Sequence, residues 1–81
     1  MLFKFYMTDE SKTLPNGIKV YRIVAVRSFG HIKKGDFGGW LQYAENLSQL
    51  GTCWVADDAI ICGESIVSED ALVKDSAVVD G

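Results

Sequence analysis

The chain has 81 residues, of which 48% are apolar and one is proline, and a formal net charge of −3. This composition excludes a disordered chain, and the apolar runs are too short to span a bilayer, so one small domain near the lower size limit of an unaided core is expected. Charge is unevenly divided: residues 1–52 hold seven Lys/Arg against four Asp/Glu, whereas residues 53–81 hold only Lys74 against Asp57, Asp58, Glu64, Glu69, Asp70, Asp75 and Asp80.

In chain order, LFKFYM at residues 2–7 reads as a short apolar strand, and IKVYRIVAVRSF at 18–29 as a longer one rich in β-branched residues. Between them Pro15-Asn16-Gly17 is a turn signal, because Asn-Gly accepts the positive φ of a tight turn. Residues 1–30 are therefore expected to form an N-terminal β-hairpin. The opening MLFKFYMTDESK lacks the apolar core and small-residue cleavage site of a secretory leader, which points to a cytoplasmic protein.

Residues 31–52 are glycine-rich and irregular, with Gly35, Gly38 and Gly39 just ahead of Trp40. The stretch matches neither GxxxxGK[ST] nor GxGxxG, so a structural corner, not a phosphate cradle, is expected there.

Residues 53–81 repeat every six: CWVADD, AIICGE, SIVSED, ALVKDS, AVVDG. One column, Val55, Ile61, Val67, Val73 and Val79, is wholly β-branched. The column two positions earlier, Cys53, Ala59, Ser65, Ala71 and Ala77, is wholly small. Side chains two apart on a strand share a side, so a large and a small residue face inward on each short strand and a corner follows every sixth residue. Leu41 and Leu47 are also six apart. The eight-residue step from Leu47 to Val55 implies a preceding coil with a two-residue insertion.

These hexads resemble the hexapeptide-repeat family, and the GDFGGW lead-in at residues 35–40 is similar to that of small bacterial and phage members. The resemblance implies an all-β fold: a short left-handed parallel β-helix, triangular in section with three hexads to a coil, carrying the N-terminal hairpin, all within one domain. It also implies that residues eighteen apart stack, Trp54 over Leu72, Ile60 over Val78 and Asp57 over Asp75. The column Trp54, Ile60, Ile66, Leu72 and Val78 then points outward, Cys53 inward and Cys62 outward. Neither cysteine has a CxxC or nearby histidine, so free thiols are expected, with no disulfide and no zinc.

Family enzymes are chiefly trimeric acyltransferases that use a histidine base and a cofactor held between coils. The only histidine here, His31, lies outside the repeats and reads as a solvated loop residue, so no catalytic residue and no cofactor are assigned. The carboxylates match no EF-hand spacing, so no metal is assigned, and they read as corner residues. Lys33 and Lys34 beside Phe37 and Trp40 are outweighed by the acidic half, so direct nucleic-acid binding is not expected.

The expectation is therefore a non-catalytic interaction protein of phage or mobile-element type, at work in the host cytoplasm. Its acidic surface, Asp57, Asp58, Glu64, Glu69, Asp70 and Asp75, would bind and inhibit a host protein such as a nucleic-acid-directed defence complex, as anti-CRISPR proteins do. An acyltransferase-like trimer and a structural assembly module are the rivals. The outward apolar column Trp54, Ile60, Ile66, Leu72 and Val78 would join two copies into a homodimer, and no membrane partner is expected.

Overall fold

The computed structural model describes residues 3–80. Its strands are β1 (Phe5–Thr13), β2 (Lys19–Ala25), β3 (Phe37–Leu41), β4 (Trp54–Val55), β5 (Ile60–Cys62), β6 (Leu72–Val73) and β7 (Val78–Asp80), with a single 3-10 turn at Ala44–Asn46. The protein is all-β, with one mixed and one parallel sheet. Among the described residues, no helix is long and apolar enough to cross a membrane.

β1 and β2 form the N-terminal hairpin. Its turn falls at Pro15–Gly17, where Gly17 takes φ +90°, Leu14 N–H donates to the Ile18 carbonyl at 2.8 Å, and Asn16 Oδ1 accepts from Ile18 N–H. The strand limits differ from those expected. β1 runs on through the polar TDESKT segment because it is a solvated sheet edge that needs no apolar alternation, with a register shift between Met7 and Ser11. β2 stops at Ala25, and Phe29 instead makes an isolated bridge to Ile32 around Gly30, whose φ is +52°. Leu2 of the expected first strand lies outside the described residues.

From β3 onward the chain coils. β5 lies parallel to β3, pairing Trp40 with Ile60 and Leu41 with Ile61, a step of twenty residues. Leu47 bridges Val67 at the same step. Below them the step falls to eighteen: Trp54 pairs with Leu72 and Val55 with Val73 across β4–β6, and Ile60 with Val78 across β5–β7. The chain therefore visits three faces in rotation, and the two surplus residues between Leu47 and Val55 lengthen the upper coil only. The face carrying β3, β5 and β7 continues into the hairpin as a sheet of order β1-β2-β3-β5-β7.

The corners account for the period of six. Gly51, Asp57, Gly63, Glu69 and Asp75, each six residues from the last, all have positive φ, between 56° and 72°. A left-handed residue after a short extended segment swings the chain onto the next face, and glycine or a short polar side chain adopts that conformation at least cost.

The inner column follows the expected pattern and then empties. Val55 and Ile61 are fully buried, Val67 is 6% exposed, Val73 is half-buried, and Val79 in the lowest strand is 36% exposed. Cys53 and Ala59 of the small column are fully buried. Gly38 and Gly39 are not a corner: they lie within β3, where a Cβ on Gly38 would sit 2.5 Å from the Val55 carbonyl and one on Gly39 2.5 Å from that of Ala59. Their role is close backbone approach, as the missing side chains let β3 settle onto the β4–β5 corner.

The surplus residues are held from the hairpin. Lys4 is completely buried, and its ammonium donates to the carbonyls of Cys53 at 2.8 Å and of Leu50 and Gly51 at 3.4 Å, with the Cys53 thiol at 3.2 Å. Gln49 Oε1 accepts from the backbone N–H of Lys4 at 2.6 Å and of Phe5 at 3.3 Å. Polar groups of an irregular segment that would otherwise be buried without partners are thereby satisfied.

Candidate protein-interaction surface

The repeat positions the carboxylates. Because the corners stack, so do their side chains, and Asp57, Asp58, Glu64, Glu69, Asp70 and Asp75 are all exposed at turns. Asp57 Oδ2 accepts a 3.2 Å hydrogen bond from the backbone N–H of Asp75, so the upper carboxylate is held by the amide of the corner below it. On the next row, Thr52 Oγ1 donates to Asp70 Oδ1 at 2.8 Å, and the Glu69 carbonyl accepts from the N–H groups of Thr52 and Cys53.

Asp58 is engaged differently. Arg22, from β2, lies with its guanidinium 3.6 Å from Asp58 and its Nε 3.6 Å from Glu10, while Nη1 donates to the Gly38 carbonyl at 3.0 Å. The guanidinium also sits 4.5 Å from the centre of the Trp40 ring. Both ion pairs are solvent-exposed on the carboxylate side and add little stability; the one to Asp58 ties the hairpin to the corner, while the one to Glu10 lies within the hairpin. Among the described residues, Asp58 is the one corner carboxylate with a basic side chain in ion-pair range.

The outward apolar column divides in two. Trp54 is 2% exposed, packed edge-on against Phe29 with ring centres 5.3 Å apart and against Phe5 at 6.4 Å. Ile60 is buried with Val20 and Trp40 under Leu14 and Ile18 of the hairpin turn. These two residues are therefore not free to join a second copy, because the hairpin already covers them. Ile66, Leu72 and Val78 on the lower coil are beyond its reach and exposed.

Cys62, expected to face outward, is nonetheless covered. Both cysteines are free and buried, and Cys62 is 1% exposed. It ends β5, paired with Asp80 below and followed by the Gly63 corner, whose N–H donates to Gln42 Oε1 at 2.7 Å. Burial, and then the adjacent Asp80 carboxylate, push the Cys62 thiol above its ordinary pKa.

His31 is exposed in the loop above β4, as expected of a solvated residue. It nevertheless lines a cleft of about 190 Å³ with Ile32, Thr52, Trp54, Asp70 and Leu72. No sequence signal foretold that cleft, since its walls are twenty to forty residues apart and meet only when loop and coil pack.

Among the described residues, no group of three or more His, Cys, Asp or Glu is placed to hold a metal ion. No family model matches the chain. It is similar to a protein of Escherichia coli (strain K12) described as the uncharacterized acetyltransferase YdcK, with 29% identity over 77 residues. The match covers 94% of this chain and 23% of that protein, so the chain spans less than a quarter of its relative.

Proposed function

We propose that this chain is a non-catalytic interaction module, built on a left-handed parallel β-helix of the hexapeptide-repeat type, that binds a basic surface of a protein partner. The three-faced coil with its eighteen-residue step and left-handed corners supports the β-helix. The observation that carries the function is the run of exposed carboxylates at successive corners, with Asp57 stacked over Asp75 and Asp58 the one corner carboxylate paired to a cation among the described residues. Unpaired charges of one sign, held in register, complement a basic groove and speed encounter with it. In its narrower form the partner is a nucleic-acid-directed complex of the host, whose basic groove the acidic coil would occupy in place of nucleic acid.

The test compares the immobilised wild-type chain with a variant carrying Asp57→Asn, Glu69→Gln, Asp70→Asn and Asp75→Asn in capture from bacterial lysate. A basic protein retained by the wild type, released by salt and absent from the variant is the expected result. Equal capture by both would overturn the proposal.

A second reading, an acyltransferase-like protein acting as a trimer, is favoured by the relative's description as an acetyltransferase and by the place of His31 in a cleft. Calorimetric titration with acetyl-CoA separates the two: saturable heat supports the enzyme, and none supports the interaction module.

A further inference from the structure

We propose that the cleft between the 30–32 loop and the β4–β6 face receives one lysine side chain of a protein partner. This rests on the reading of the acidic corners as a surface for a basic protein and names the point where recognition is specific.

Three features define the occupant. The first is size. At about 190 Å³ the cleft falls below the roughly 300–1,000 Å³ of small-molecule sites and suits a single side chain. The second is the disposition of polarity. Ile32, Trp54 and Leu72 supply apolar wall, and Asp70 supplies an anionic rim. A side chain with an apolar stem and a cationic tip matches both, since its methylenes can lie along apolar surface while the charge meets the carboxylate. The large exposure of Leu72, at 56%, beside the almost fully covered Trp54 with which it pairs, marks the side from which the stem enters.

The third feature selects lysine over arginine. Asp70 Oδ1 already accepts the 2.8 Å hydrogen bond from Thr52 Oγ1, which fixes the carboxylate and leaves Oδ2 as its uncommitted oxygen. A guanidinium gains most from a carboxylate offering both oxygens to its fork, whereas an ammonium is a point charge satisfied by one. Thr52 is thus a positioning residue. It lies eighteen residues before Asp70, so the same coil stacking that builds the core orients the site.

The experiment is an amide-resolved NMR titration of the intact chain with N-acetyl-lysine methylamide. Saturable shifts centred on Gly30, His31, Ile32, Thr52, Asp70 and Leu72, with the Trp54 indole, are expected. Asp70→Asn keeps an acceptor for Thr52 and the corner fold but removes the charge, and it should weaken the effect roughly tenfold. Leu72→Ala should weaken it without touching any charge, and Asp9→Asn, on the exposed β1 edge away from the cleft, should leave it unchanged. The ε-acetylated probe should give no shifts, and N-acetyl-arginine methylamide should bind more weakly than the lysine probe. Tighter binding of the arginine probe, or indifference to Asp70→Asn, would overturn the lysine site. If shifts fall only at the Asp57 and Asp75 corners, the cleft is wrong while the acidic interaction surface survives. If no corner responds to the cation, both fail.

Discussion

The ammonium of Lys4 donates a 2.8 Å hydrogen bond to the carbonyl of Cys53, 49 residues further along the chain. That contact, with the longer ones to Leu50 and Gly51, closes the one irregular segment of the coil. Lys4→Met keeps the length and apolar stem but orphans the buried Cys53 carbonyl. A loss of about 3 kcal/mol is expected, read as a lower midpoint in urea denaturation.

The corner column makes an opposed pair of predictions. Gly51 has φ +72°, and a Cβ there would lie 2.5 Å from the Glu69 carbonyl, so Gly51→Ala should cost at least about 2 kcal/mol. Glu69, one coil below at φ +61°, bears a side chain in the same left-handed conformation. Glu69→Gly should therefore stabilise the protein by about 0.5–1 kcal/mol, and thermal melts of the two variants should move in opposite directions.

Within the inner column, position decides severity. Val67→Asp places an unpaired carboxylate in the core and should abolish the cooperative melt followed by circular dichroism. Val79→Asp makes the same chemical change where the side chain is 36% exposed, and should cost less than about 1 kcal/mol. Equal effects would mean that the inward register is wrong.

Both thiols should resist a thiol reagent in the native protein and react together on unfolding, since each is buried. The raised pKa of Cys62 gives its stability effect a sign. Above the ordinary thiol pKa the unfolded chain has released a proton that the folded chain retains, so stability falls as pH rises through the alkaline range and is unaffected below about pH 8. Denaturation curves at neutral and alkaline pH should show this loss in the wild type, with a smaller loss in Cys62→Ala.

The hexad columns made the inner wall, the corners and the extra two residues of the upper coil legible without a structure, because each depends on neighbours at a fixed short spacing. Val55 and Ile61 inside, and Asp57, Glu69 and Asp75 at turns, follow from position modulo six alone. The candidate surface was only partly legible: the carboxylates could be named, but not which of them would be clamped, as Asp58 is by Arg22. The remainder is tertiary. Lys4 reads locally as an exposed strand lysine and is buried because the coil's irregular segment lies against it. Trp54, Ile60 and Cys62 point away from the coil axis by period and are nonetheless covered, by Phe5 and Phe29, by the hairpin turn, and by the strand below. A six-residue repeat determines which way a side chain leaves its own strand. Whether it then meets water depends on segments up to fifty residues away, and only packing brings those into place.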